Sequence, residues 1–245
     1  MSWMILGDSV TGTSHIANGQ SCQDAFRTNV VEPERYLVIA LSDGAGSAAH
    51  SDIGATYVCD EFIRRITLAP KTELFSVSTI KALFADVRNG LFMEAQHRGL
   101  SARDLACTAL LVVLGQDQAM FAQVGDGAIV FKVDEDYQLA FWPESAEYVN
   151  TTDFLTDELY EQRIQVSVVS QHIVEVCALT DGLQRLALDY ASKVPYRDFF
   201  SPLFRRLIEA DDVESLRSPF REFLSSERIC ARTDDDKTLV VAVRK

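Results

Sequence analysis

Four short acidic motifs, far apart in the chain, each adjoin an apolar run, three of them after the run and one before it. They are Asp43-Gly44, Gly125-Asp126-Gly127, Asp181-Gly182 and Asp234-Asp235-Asp236. Apolar runs of this length predict β-strands, so the carboxylates are expected at strand ends. Carboxylates that meet there repel one another, and a bound cation relieves that repulsion. The pattern therefore predicts a metal site with several carboxylate ligands, built on a β scaffold.

The residues that could bind the cation are Asp24, Asp43, Asp181 and Asp236. Any one Asp-Gly pair after a strand is most often only a turn. Acidic residues at the ends of several apolar strands have no shared structural purpose, so the set as a whole favours a site. Carboxylate oxygens are hard ligands that suit magnesium or manganese rather than zinc or copper.

Charge and cysteine usage exclude several classes of function. A formal net charge of −13 argues against nucleic acid and anionic membranes as partners. The five cysteines form no CxxC pair, which disfavours zinc and indicates free thiols in a reducing compartment. The first residues lack the basic and apolar regions of a secretory signal, and no apolar run is long enough to span a membrane. We therefore expect a cytoplasmic location.

Strands and helices are predicted in separate parts of the chain. Strands fill both ends and the middle, while helices are predicted in two blocks, 48–98 and 183–226. Such segregation favours an α+β fold, and each helical block needs a sheet face to cover. The prediction is a four-layer αββα sandwich, with two mainly antiparallel sheets flanked by helices. Residues 1–245 are expected to form a single domain, with a surface flap at 143–162.

The order of the motifs resembles that of the PP2C family of metal-dependent Ser/Thr protein phosphatases, in its compact bacterial branch. The resemblance spans residues 7–243 and implies the same αββα sandwich. The motifs that carry it are Gly12-Thr13-Ser14-His15, Cys22-Gln23-Asp24-Ala25, Ser42-Asp43-Gly44-Ala45-Gly46, Gly125-Asp126-Gly127, Leu179-Thr180-Asp181-Gly182-Leu183 and Asp235-Asp236-Lys237-Thr238-Leu239-Val240.

The resemblance also implies a centre of two Mn²⁺ or Mg²⁺ ions. It assigns Asp43 to both ions as a bridging ligand, and Asp24, Asp181 and Asp236 to one ion each, directly or through water. Gly44 would contribute its backbone carbonyl to the second ion. Two adjacent ions lower the pKa of a bridging water and hold the attacking and leaving oxygens. A metal-bridging water would then attack phosphorus without a covalent protein intermediate.

The chain departs from the family pattern beside its first metal ligand. Many relatives carry a phosphate-binding Arg shortly before this Asp, whereas no Arg precedes Asp24 here, and Gln23 replaces a frequent acidic residue. His15 lies in the corresponding loop and could contact phosphate, though less well than a bidentate Arg. An alternative role for His15 is to bond a turn backbone. The resemblance gives Asp126 a mainly structural role.

The expected function is hydrolysis of phosphoserine and phosphothreonine in proteins. The expected partners are a phosphorylated protein and a cognate Ser/Thr kinase or its targets, with no nucleic acid and no membrane. One alternative is a weakly active or inactive PP2C-fold metal-binding regulatory module that acts through a protein partner. Another is a phosphatase for small phosphate esters. The chain lacks the GxSxG nucleophile motif, the GxxxxGK[ST] phosphate loop, and an Asp-x-Asp after its first strand.

Overall fold

The computed structural model describes residues 2–31, 36–70, 73–143 and 152–245. The strands are β1 (Trp3–Val10), β2 (Ala25–Val31), β3 (Tyr36–Ser42), β4 (Ala109–Leu114), β5 (Ala119–Val124), β6 (Ala128–Val133), β7 (Asp136–Leu139), β8 (Gln165–Val169), β9 (Glu175–Leu179), β10 (Leu188–Asp189), β11 (Val194–Pro195) and β12 (Lys237–Arg244). The helices are α1 (Thr13–Ala17), α2 (Ser51–Leu68), α3 (Val77–His97), α4 (Tyr160–Arg163), α5 (Gln184–Ala187), α6 (Arg197–Glu209), α7 (Glu214–Leu224) and α8 (Glu227–Cys230).

Ten of these strands form two sheets. The first sheet has the order β1-β12-β9-β6-β7, and the second has the order β2-β3-β4-β5-β8. Neighbouring strands are antiparallel in both sheets. A separate hairpin pairs β10 with β11. The predicted architecture of two antiparallel sheets is confirmed.

Strand β3 shows why its sequence is apolar at nearly every position. Leu37, Ile39 and Leu41 belong to a core between the two sheets, together with residues of β9 and β12. Val38 and Ala40 point to the other face, where they join the core beneath α2 and α3. Successive side chains of a strand point to opposite faces, so a strand covered on both sides needs apolar residues throughout.

The two helical blocks cover opposite outer faces of the sandwich. On the second sheet, Phe62 of α2 and Phe84 of α3 are fully buried, with ring centroids 4.8 Å apart. On the first sheet, Phe204 of α6 and Phe220 of α7 pack into a separate core. The four layers are therefore α, β, β and α, as predicted. No helix in the described ranges combines the length and apolarity needed to cross a membrane.

The flap predicted at 143–162 lies partly outside the described residues, which resume at 152. In the described part, Leu155 and Tyr160 are buried in the core beneath α2 and α3. Arg88 of α3 donates hydrogen bonds to the carbonyl oxygens of Leu155, Thr156 and Asp157. These contacts attach residues 155–160 to helix α3.

Candidate metal centre

The carboxylates named from the sequence come from both sheets and meet at one end of the sandwich. Asp43 follows β3, and its backbone N–H donates to Thr108 Oγ1 at 2.8 Å. Asp181 opens a 3₁₀ turn directly after β9. Because β3 and β9 face each other across the sandwich, their carboxyl ends bring Asp43 and Asp181 to the same opening.

An acidic cavity of about 270 Å³ lies at this opening. Its acidic lining residues are Asp43, Asp126, Asp181, Asp234 and Asp235. The rest of the lining is Ser14, His15, Gly44, Ala45, Gly46, Thr108, Thr152 and Phe154. Carboxylates therefore supply most of the charge in a space large enough for ions, water and a phosphate group.

The half-buried carboxyl groups that line this cavity have raised pKa values. Burial, reinforced by the charges of Asp24 and Asp181, raises the pKa of Asp43 well above its usual range. Burial and then the charge of Asp126 raise the pKa of Asp181 to about 6. Burial also raises the pKa of Asp126, against the hydrogen bond that Thr152 donates to it. These groups resist ionisation until a positive charge compensates them.

Asp24 lies next to this cavity without lining it. Thr180 Oγ1 and Thr238 Oγ1 each donate to Asp24 Oδ2 at 2.8 Å. Burial raises the pKa of Asp24 to about 7, although these two hydrogen bonds lower it. Among neighbouring charges, Asp24 has the largest effect on Asp43. A cation bound beside both carboxylates would relieve this repulsion.

Three buried carboxylate oxygens have no hydrogen-bond partner in the described part of the chain: Asp24 Oδ1, Asp126 Oδ1 and Asp181 Oδ1. A buried acceptor of this kind costs free energy unless a ligand satisfies it. Oxygen donors with raised pKa values fit a hard divalent cation such as Mn²⁺ or Mg²⁺. Within the described ranges, however, no three acidic, His or Cys side chains lie close enough together to hold an ion as they stand. The carboxylates surround the cavity without closing a complete cage.

The structure places Asp236 differently from Asp43 and Asp181. Gly12 N–H donates to Asp236 Oδ1 at 2.6 Å, and Gln23 N–H donates to Oδ2 at 2.5 Å. Both oxygens are therefore occupied, and Asp236 does not line the cavity. Its neighbour Asp235 does line it, and the sequence analysis missed that role. The available signal was the run of three Asp residues, which does not by itself show which one faces inward.

His15 is held at the edge of the cavity by contacts with the same loop. Its Nδ1 lies 2.9 Å from Asp236 Oδ1, a distance that suits an ion pair, although the angle is not that of a hydrogen bond. The preceding residue, Ser14, donates to the backbone carbonyl of Asp234 from both its N–H and its hydroxyl. The loop before Asp24 and the loop before β12 are thus tied together.

Gly44 lines the cavity at a position where no side chain fits. A Cβ there would lie 2.7 Å from Ser51 Cβ and 2.8 Å from the backbone oxygen of Gln23. Both distances are shorter than ordinary contacts. Glycine therefore keeps the turn after Asp43 close to the loop before Asp24.

Two antiparallel sheets between helical layers, with a carboxylate-lined cavity at one end, define an αββα sandwich with a candidate metal site. The family model described as "Protein phosphatase 2C" matches residues 11–225. Serine/threonine-protein phosphatase 3 of Escherichia coli (strain K12) is 34% identical over 250 residues, covering 99% of both chains. The chain belongs to the protein phosphatase 2C family.

Solved structures share the fold at low sequence identity. The serine/threonine phosphatase Stp1 from Staphylococcus aureus has a TM-score of 0.69 at 15% identity, covering 100% of this chain and 96% of that one. The serine/threonine phosphatase of S. agalactiae has a TM-score of 0.66 at 14% identity, with 99% and 100% covered. PppA of Pseudomonas aeruginosa, described as a regulatory component of T6SS, has a TM-score of 0.62 at 17% identity, with 99% and 98% covered.

Proposed function

We propose that this chain is a metal-dependent phosphatase that hydrolyses phosphoserine and phosphothreonine in proteins. One observation carries the proposal. In a member of the protein phosphatase 2C family, buried carboxylate oxygens without partners lie in or beside a cavity whose acidic groups have raised pKa values. Such a site gains free energy by binding cations, and bound cations attract the phosphate dianion.

We propose that the centre takes two Mn²⁺ or Mg²⁺ ions. Asp43 would bind both ions, and Asp24 and Asp181 would hold one ion each. The backbone carbonyl of Gly44 would be a further ligand. Asp234 and Asp235 both line the cavity, and we assign the remaining ligand role to Asp235 because its charge helps to raise the pKa of Asp43 and Asp181, whereas both oxygens of Asp236 accept backbone hydrogen bonds. When bound, the ions supply positive charge that polarises phosphate and lowers the pKa of water.

The chain's own residues would position the substrate. His15 lines the cavity and is held beside Asp236, so its ring can face a phosphate group that enters. Asp236 would hold the His15 imidazole in place while it accepts hydrogen bonds from the Gly12 and Gln23 backbones. Contacts of this kind commonly orient functional side chains. Asp126 would remain a supporting residue, since Thr152 Oγ1 donates to its Oδ2 at 2.8 Å.

The alternative of a weakly active regulatory module gains no support from the family match or from the 34% identical phosphatase. We further propose that the chain is a single cytoplasmic domain with a phosphorylated protein as substrate and a cognate Ser/Thr kinase, or its targets, as functional partners. The shared core between the sheets supports the single domain. The five free cysteines, three of them buried, support a reducing compartment.

Hydrolysis assays test this function. The purified protein, freed of metal with a chelator, is supplied with Mn²⁺ and offered phosphoserine and phosphothreonine peptides, p-nitrophenyl phosphate and a panel of phosphorylated metabolites. We expect metal-dependent release of phosphate, with the largest kcat/KM for phosphopeptides. Activity on metabolites alone would favour the phosphatase for small esters, and no activity with any metal would favour the regulatory module.

A further inference from the structure

An aromatic pair joins the end of β7 in the first sheet to the hairpin that follows the Asp181 segment. Trp142 follows β7, and Tyr190 follows β10 in the short hairpin after α5. The two rings meet edge to face, with centroids 5.3 Å apart and an angle of 78° between their planes. Trp142 packs partly into the core beneath α6 and α7, whereas Tyr190 is 48% exposed. One ring is therefore anchored and the other is presented to solvent.

Tyr190 is also attached to the segment that carries Asp181. Its hydroxyl donates to Gln184 Oε1 at 2.7 Å, and Gln184 begins α5 directly after the 3₁₀ turn Asp181–Leu183. Burial raises the pKa of Tyr190, Arg185 lowers it, and Asp126 and Asp181 raise it further. The Gln184 hydrogen bond thus fixes the Tyr190 hydroxyl to the segment that follows Asp181.

The position of Tyr190 is fixed, yet nearly half of its surface is exposed. Its Trp142 contact and its Gln184 hydrogen bond hold the ring before any ligand binds. A ring held in this way loses little conformational freedom on binding, and fixed Tyr and Trp side chains often dominate recognition surfaces. Tyr137, by contrast, packs against Phe200 and Phe204 within the core and contributes to folding.

We propose that Trp142 and Tyr190 form a docking surface for the polypeptide of the phosphorylated substrate, where they bind an apolar side chain close to the phosphorylated residue. The proposal rests on the phosphatase function proposed above. The cavity is small and acidic, so the substrate backbone must pass over its edge, and the Tyr190–Gln184 hydrogen bond holds the aromatic pair beside the segment that begins with the cavity residue Asp181. Exposed Arg185 adds a positive charge beside Tyr190 in a protein of net charge −13, which favours an acidic residue in the same segment.

The test compares kinetics on large and small substrates. Tyr190→Ala is assayed on two phosphoserine peptides, one with leucine and glutamate near the phosphoserine and one with glycine and serine there, and on p-nitrophenyl phosphate. We expect KM for the first peptide to rise about tenfold, the loss typical of one important contact residue. Constants for the second peptide and for p-nitrophenyl phosphate should stay within about twofold of wild type.

Two further variants separate contact from folding. Tyr196→Ala removes another half-exposed tyrosine from the same region and should leave all constants unchanged. Tyr190→Phe keeps the ring and should retain most of the peptide preference. An equal loss on all three substrates, or no loss on the first peptide, would overturn the proposal.

A binding assay keeps this inference separate from the proposed activity. The anisotropy of the fluorescein-labelled first peptide is measured with wild-type protein and with Tyr190→Ala. We expect about tenfold weaker binding to the variant, even if the wild type hydrolyses nothing. Equal affinities would overturn the docking surface, whereas wild-type inactivity on every phosphorylated substrate would contradict only the phosphatase function.

Discussion

Strand β3 and the turn that follows it differ sharply although they are adjacent in sequence. Leu37, Ile39 and Leu41 are fully buried among apolar neighbours from both sheets. Two residues beyond Leu41, Asp43 is half-buried among other carboxylates, and desolvation together with their charges raises its pKa. The strand therefore stabilises the fold, while the turn is costly in the absence of a cation. A rigid core can hold a cluster of mutually repelling carboxylates in place, and a cation gains most free energy by binding at such a cluster.

The largest expected effect comes from removing charge at the turn. Asp43→Asn should lower kcat by more than about a hundredfold, since a bridging ligand matters more than the supporting groups, whose loss costs up to about that much. Because the substitution relieves repulsion between carboxylates, the metal-free variant should be as stable as wild type or more so. Kinetics with Mn²⁺ and denaturant unfolding check the two parts. Near-normal activity in the folded variant would contradict the metal assignment.

A substitution in the neighbouring core should lower stability and leave the metal dependence of activity unchanged. Ile39→Ala should lower the free energy of unfolding by about 2–5 kcal/mol, because it leaves a cavity between two close-packed sheets. The Mn²⁺ concentration for half-maximal activity should not change at a temperature where the variant stays folded. Urea unfolding and a metal titration provide the readouts. A shift in metal dependence comparable with that of Asp43→Asn would remove the distinction between core and turn.

The adjacent residues Asp235 and Asp236 offer a sharper form of the same comparison. Asp235→Asn should raise the Mn²⁺ concentration for half-maximal activity about 10- to 100-fold. Asp236→Asn places an amide NH₂ opposite a backbone N–H of Gly12 or Gln23, and this mismatch should cost about 1–3 kcal/mol of stability. Metal titrations and unfolding curves of both variants distinguish the roles. If Asp236→Asn proves to be the variant with weakened metal dependence, the assignment is reversed.

A smaller effect is expected at His15. His15→Ala should raise KM for a phosphopeptide about tenfold, the cost of one hydrogen bond to a charged group, with a smaller change in kcat. His15→Arg should restore or improve binding, because a guanidinium binds phosphate through two donors. Steady-state kinetics of both variants give the comparison. Unchanged constants in His15→Ala would make the histidine a structural loop residue.

The sequence allowed accurate prediction where one physical rule dominates. Strands covered on both faces are apolar at nearly every position, so the apolar runs at 36–42, 119–124 and 128–133 predict strands with the bounds observed for β3, β5 and β6. The sequence does not predict β2, because Arg27, Thr28 and Asn29 interrupt its apolar pattern at the edge of the second sheet. Edge strands with one partly exposed face carry a weaker signal than central ones.

The candidate site was predictable in residue type but not in detail. The positions of Asp43 and Asp181 directly after apolar strands predict a shared site, and both residues line one cavity in the structure. Asp234 and Asp235 line the cavity while Asp236 does not, because Asp236 accepts hydrogen bonds from the backbone N–H groups of Gly12 and Gln23, more than 200 positions earlier in the chain. Contacts this distant in sequence are set by tertiary packing, which local patterns do not specify. The contact between Trp142 and Tyr190 likewise depends on tertiary packing and is not predicted by the local sequence.

Thermal unfolding with and without Mn²⁺, at about pH 5 and about pH 7.5, tests the central claim most directly. The folded pKa values of Asp24 and Asp181, about 7 and about 6, exceed the ordinary value of 3.8. Between about pH 4 and pH 7 the folded metal-free protein therefore holds protons that the unfolded chain has released, so these groups make its stability fall as pH rises. Mn²⁺ should raise Tm, and by more at pH 7.5, because the carboxylates must ionise to bind it. A Tm that millimolar Mn²⁺ leaves unchanged at both pH values would contradict the account.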